Sequence, residues 1–261
     1  MEQEPHILFE KRGALGLITL NRPKALNALT HGMCLGLAKR LSEWADDAGI
    51  KAVAIRGAGE RAFCAGGDIR AMYESSVAGT AAAAKFLADE YRVNALIAAF
   101  PKPYLALTQG IVMGGGAGVS VHGSHRLADE SLVFAMPESG IGFVTDIGAT
   151  HFLSRCPGET GTYLALTGAR IGLADAFALG LITQAVKAEH HDAILSRLAD
   201  AILFVTRWEK TPREAARTAV RALEDIRAPI AGVALARADA TRFQYYNYGY
   251  QSYYSYAKYY H

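Results

Sequence analysis

Cysteine is scarce in this chain: three in 261 residues, Cys34, Cys64 and Cys156, none in a CxxC spacing. An odd number of isolated thiols argues against a disulfide framework or a thiolate metal site. It predicts buried free thiols in a reducing compartment. Long apolar runs are missing too, and none approaches the ~18 residues a membrane span needs. Charge of one sign is not concentrated: 27 Lys and Arg stand against 25 Asp and Glu, a net of +2 without a basic block. Binding to nucleic acid or to a membrane surface therefore has no electrostatic footprint. The acidic start, MEQEPHILFE, carries neither an apolar signal core nor an Arg/Ser-rich transit pattern, and the expectation is a cytoplasmic protein.

Apolar residues are plentiful, at 51% of the chain, ample for a sizeable core. Residues 6–10 and 15–20 (LGLITL) read as strands joined by a tight turn at Arg12-Gly13. Thr30 suits the N-cap of an amphipathic helix to about Asp47, with Met33, Leu37, Leu41 and Trp44 on one face. KAVAIR (51–56) is a strand, 80–100 an Ala-rich helix stopped by Pro101 and Pro103, and YLALT (104–108) another strand. Residues 119–122 read as helical and 132–135 as a strand. From Asp146 to about Ala201, helical patterns alternate with Gly and Pro breaks. Strands alternating with helices predict an α/β fold. The domains expected are a core over 1–200, a helical region over 201–243 broken at Pro229, and a tail over 244–261. That tail holds nine tyrosines in eighteen residues and no periodicity that implies structure.

Two glycine clusters follow strands: Gly66-Gly67 in FCAGGDIR, and Gly114-Gly115-Gly116 with Gly118 in MGGGAG. Neither fits a nucleotide site, since there is no GK[ST] and no G-x-G-x-x-G. The bland alternative is that they let helix starts pack close to strands. A reading that joins them has two backbone N–H groups, each at a strand-to-helix turn, converging on one developing negative oxygen. Such an oxyanion hole predicts a substrate carbonyl that becomes an enolate or a tetrahedral oxyanion.

FCAGGDIR, with NRPKALNAL upstream and MGGGAG downstream, resembles the crotonase (enoyl-CoA hydratase/isomerase) superfamily over roughly residues 6–200. The resemblance implies a ClpP/crotonase-like α/β fold of repeated ββα units with C-terminal helices, assembled as a trimer or dimer of trimers. It implies an acyl-CoA partner whose thioester carbonyl sits between the N–H groups of Gly67 and Gly115, flanked by Gly66 and Gly114. Coenzyme A contacts are implied along Lys24, Ala25 and Leu26 and along Ala65, Asp68, Ile69 and Arg70. Arg70 could meet a CoA phosphate or be an ordinary solvated helix residue. No metal and no cofactor beyond the CoA of the substrate are expected.

A hydratase of this family uses two glutamates. One matches Glu138 in FAMPESGIG; the other position is Gly118, which leaves paired acid–base addition of water without half its machinery. GGGAGVSVHG, FAMPESGIGF, TDIGATHFL and YLALTG (163–168) together resemble the 3-hydroxyisobutyryl-CoA hydrolase branch. That resemblance implies that Glu138, Asp146 and Glu90 line the acyl pocket. Each has a plainer reading beside it. Glu90 could be a solvated helix residue, and Asp146 the N-cap of a helix starting at Ile147. Glu138 stands among Phe134, Met136, Ile141 and Phe143, where a carboxylate's pKa is raised. The resemblance to that branch favours hydrolysis of a short branched acyl-CoA, valine catabolism's 3-hydroxyisobutyryl-CoA, over isomerase or hydratase activity or inactive CoA-ester binding.

Overall fold

The computed structural model describes residues 5–200, 202–207 and 230–236. The chain divides into two units, 1–202 and 203–261. In the first, β1 (Ile7–Arg12) and β2 (Leu15–Leu20) form an antiparallel hairpin that turns at Gly13, φ +55. Every residue of β2 is buried, in keeping with an apolar run that only Thr19 interrupts. Thr30 Oγ1 accepts from Met33 N at 3.3 Å and opens α1 (His31–Asp46). The predicted stripe Met33, Leu37, Leu41 and Trp44 faces the core, each at most 5% exposed.

A repeated pattern then sets the architecture. One strand enters a large sheet, the next enters a small sheet, and a helical turn follows. β3 (Ala52–Gly57) is followed by β4 (Ala62–Cys64), α2 (Ile69–Val77) and α3 (Ala82–Ala98). β5 (Tyr104–Thr108) is followed by β6 (Ile111–Met113) and α4 (Gly115–Val121). β7 (His125–Ala128) is followed by β8 (Val133–Ala135) and a 3₁₀ turn at Glu138–Ile141. Short helices α5 (Ala149–Phe152), α6 (Thr160–Thr167) and α7 (Leu173–Ala178), strand β9 (Gln184–Ala185) and α8 (His191–Asp200) complete the unit. The large sheet has the order β1-β2-β3-β5-β7-β9 and the small one β4-β6-β8. These are the ββα repeats and two sheets of the crotonase fold.

Several short elements escape sequence reading. β6 and β7 are three and four residues long, too short for any alternation to register. α4 begins at Gly115, four residues before the expected helix, and all seven of its residues are buried. Glycine is a poor helix former, but here it permits close packing: a β-carbon on Gly116 would collide with the Cys64 carbonyl.

From Leu203 on, in the second unit, the described residues belong to β10 (Ile202–Arg207) and β11 (Ile230–Ala236), paired in a two-stranded sheet. This corrects the expectation of helix in the corresponding parts of 201–243. ILFVTR is rich in β-branched and aromatic residues, which suit strands, and IAGVALA follows directly on Pro229, which stops a helix. The Tyr-rich tail, 244–261, lies outside the described residues.

Candidate active site

The site follows from strand register. β4, β6 and β8 run parallel, with Cys64 beside Val112 and Met113 beside Ala135. Their carboxyl ends therefore lie side by side, the edge where open α/β sheets bind ligands. One leads into Gly66-Gly67, the second into Gly114-Gly115 and the third into Pro137-Glu138. A cavity of about 520 Å³ lies there, bordered by these six residues, by Phe86 and Glu90 of α3, and by Asp146.

The glycines are needed for backbone shape and for approach. Gly114 sits at φ +48, ψ −122, and a β-carbon on it would stand 2.9 Å from Glu138 Oε1. Gly66 sits at φ +117, again a conformation side-chain-bearing residues rarely adopt. On Gly115 a β-carbon would collide with Glu90 Oε1 and stand 3.3 Å from the Gly67 nitrogen, so the two clusters meet. Among the described backbone hydrogen bonds, neither the Gly67 nor the Gly115 N–H is donated to another carbonyl.

Three carboxyl groups line the same cavity as Gly67 and Gly115. Glu90, far from solvated, is 3% exposed and Glu138 is 7% exposed. Glu90 Oε1 and Glu138 Oε2 are buried and find no hydrogen-bond partner among the described residues. Burial, then the charges of Asp146 and Glu138, push Glu90 up to about 8. Burial pushes Glu138 up to about 7; its own backbone N–H opposes this and Asp146 adds to it. Asp146 is raised by burial, against the Tyr91 hydroxyl, which donates to its Oδ2 at 2.6 Å. Asp146 does not cap a helix at Ile147: α5 starts at Ala149 with Gly148 before it, and the Asp146 carboxylate borders the cavity.

The flanking segments expected along CoA are zipped together. Ala65 N donates to Leu26 O at 3.0 Å, Leu29 N to Gly66 O at 2.8 Å and Asp68 N to Leu29 O at 2.9 Å. Asn27, fully buried at φ +56, fixes this segment by donating to the Ala58 and Ala62 carbonyls and accepting from Arg22 N. Ala65 and Ile69 border the cavity, whereas Lys24 and Ala25 are exposed outside it. Asp68 caps α2 through Ala71 N and pairs with Arg22 at 3.0 Å. Arg70 is exposed and pairs with Glu74 one turn on, as a solvated helix residue does.

Tyr91 and Asn94 were not anticipated. Asn94 is 5% exposed, and a β-carbon on Gly118 would stand 2.9 Å from its Oδ1. A larger side chain at 118 would have to displace Asn94. The signal for Asn94 was present: α3 buries Phe86, Glu90, Val93, Asn94 and Ile97, one helical stripe on which two polar residues stand among apolar ones.

Residues 15–231 match the enoyl-CoA hydratase/isomerase family. The chain belongs to this family. Curated relatives include 3-hydroxyisobutyryl-CoA hydrolase, mitochondrial, of Danio rerio, 48% identical over 194 residues, 74% of this chain and 51% of the relative. The Homo sapiens protein of the same name is 46% identical over 183 residues, 70% of this chain and 47% of that one. The chain thus spans about half the length of the curated relatives it matches. Similar solved structures include an enoyl-CoA hydratase from Rhodobacter sphaeroides 2.4.1, 43% identical, TM-score 0.73, covering 75% of this chain and 58% of that one. A carnitinyl-CoA dehydratase from Mycobacterium thermoresistibile is also 43% identical, TM-score 0.73, covering 83% of this chain and 60% of that one. Among the described residues no helix is long and apolar enough to cross a membrane.

Proposed function

We propose that this chain hydrolyses a short branched acyl-CoA thioester, with 3-hydroxyisobutyryl-CoA as its substrate. The observation that carries the reading is the carboxyl cluster Glu90, Glu138 and Asp146 lining one cavity with Gly67 and Gly115, while Asn94 stands beside the position of a side chain at Gly118. The names of the curated relatives support the same choice.

The thioester oxygen accepts from the Gly67 and Gly115 N–H groups, which bind it most strongly when it becomes an oxyanion. Glu138, buried and ionising near neutrality, supplies the attack. It either adds to the carbonyl carbon, giving a mixed anhydride that water then opens, or takes a proton from water that adds directly. In both routes the C–S bond breaks, CoA leaves as the thiolate and is protonated, and the acid is released with one oxygen from water. Asp146 orients that water or the substrate hydroxyl, and Tyr91 holds Asp146. Glu90, protonated at neutral pH, places no negative charge beside the oxyanion. The reading calls for no separate cofactor, and an assembly of three or six copies belongs to it, checked by sedimentation velocity.

The test is a small acyl-CoA panel followed by CoASH release and by double-bond absorbance together. The expected result is thiol release from 3-hydroxyisobutyryl-CoA and little double-bond migration in a 3-enoyl-CoA. Asp146→Asn should lower the release by roughly 10²–10⁴-fold, the scale of a positioned acid–base group. Migration without thiol release would replace the hydrolase reading with an isomerase one. Binding with neither reaction would make the chain an inactive CoA-ester binder.

A further inference from the structure

His122 lies outside the cavity yet touches the most unusual backbone of the site. Ile147 is a β-branched residue at φ +48, buried to 2%, and such side chains are genuine outliers there. Its carbonyl lies 2.7 Å from His122 Nε2, and since a carbonyl only accepts, Nε2 is the donor. The imidazole is wedged in place. A β-carbon on Gly148 would stand 2.8 Å from its Cε1, and Phe152 meets it edge-on with ring centroids 5.9 Å apart. The residue before Ile147 is Asp146, whose carboxylate borders the cavity and accepts from Tyr91. His122 itself ends α4, the helix whose first residue is Gly115.

We propose that His122 is a positioning residue: by holding the Ile147 carbonyl it locks the left-handed turn that aims Asp146 at Glu138 and Glu90. One imidazole thereby sets the separation between the helix that presents the Gly115 N–H and the turn that presents Asp146. Without the donor, Ile147 relaxes toward negative φ and carries the Asp146 carboxylate away. This inference rests on the reading that Asp146 acts in thioester hydrolysis.

The test compares His122→Leu, which keeps bulk and loses the donor, with His122→Gln, whose amide reaches the same carbonyl. In the full chain with 3-hydroxyisobutyryl-CoA, His122→Leu should lower kcat by roughly 10–100-fold with KM little changed, the scale of a ~1 Å misplacement. His122→Gln should recover most of that loss. Equal losses in Leu and Gln, or a rise in KM that accounts for the effect, would overturn the proposal. The imidazole ¹⁵N spectrum of the free wild-type protein reads the tether without any turnover. A protonated Nε2 is expected, and a bare Nε2 with protonated Nδ1 overturns the proposal even if His122→Leu fails to fold. Should the wild type release no CoASH, the hydrolase reading falls while the spectrum still decides the tether.

Discussion

Glu90 and Gly115 share one space: the Oε1 of Glu90 stands where a β-carbon on Gly115 would be. Only glycine at 115 lets this acid reach the first turn of α4. An ionised carboxylate there would oppose negative charge growing on a bound oxygen. Burial and the neighbouring carboxylates, which push Glu90 up to about 8, keep it protonated at neutral pH.

The pH dependence of kcat/KM should therefore be a narrow bell. Activity rises as Glu138 ionises at about 7 and falls as Glu90 ionises at about 8, the two limbs belonging to the coupled group. Glu90→Gln, which cannot ionise, should keep the acid limb and lose the alkaline one. A fall at high pH that persists in Glu90→Gln would assign that limb elsewhere.

The same group couples pH to stability. Folding raises the pKa of Glu90 from its ordinary 4.5 to about 8, so the folded state favours the protonated form. Its stabilising contribution is full below about 4.5 and is lost as pH rises through about 8. Between those values the Tm of Glu90→Gln should fall less than that of the wild type, by differential scanning fluorimetry. Parallel curves would mean that Glu90 is not perturbed.

Gly115→Ala places a methyl on the Glu90 carboxylate and beside the Gly67 nitrogen. Turnover should fall by roughly 10²–10³-fold, as on losing an oxyanion donor, while CoA-ester affinity by calorimetry changes little. A proportionate loss of affinity would instead make Gly115 a general binding contact.

The Tyr91 hydroxyl lowers the pKa of Asp146, which burial raises. Removing the hydroxyl in Tyr91→Phe takes away the lowering influence, so Asp146 protonates at higher pH. Loss of the Asp146 carboxylate should then add to the protonation of Glu138 and steepen the acid limb of the rate profile. A limb of unchanged slope would leave the acid side to Glu138 alone.

Leu37 on α1 is fully buried in the hydrophobic core, far from any titrating group of the site in sequence. Leu37→Ala should cost about 2–5 kcal/mol in urea unfolding with the pH profile intact. A changed profile would tie α1 to the site chemistry.

Much of this was legible in the chain. The α1 stripe could be read because 3.6-residue periodicity persists along the helix, and β2 because only Thr19 interrupts its apolar run. Glu138 stood out as an acid flanked by apolar residues, and the glycine clusters as backbone that must be approached closely. The sequence also marked the family through three motifs in order. Short elements could not be read, because three or four residues hold too little pattern, and β11 was hidden by the Ala/Arg-rich sequence around it, which favours helix.

Composition and local periodicity thus determined the α/β class, the core faces and the residue types available for chemistry. Which of those residues meet was decided by tertiary structure alone. Glu90, Gly115, Glu138 and Asp146 are neighbours because three short parallel strands align their carboxyl ends and α3 packs a mixed stripe against them. Whether Asp146 caps a helix or faces the cavity turns on the φ of Ile147 and on a hydrogen bond from His122, twenty-five residues earlier in the chain. Local propensity runs only a few residues along the backbone, while register and packing join segments that are distant in sequence.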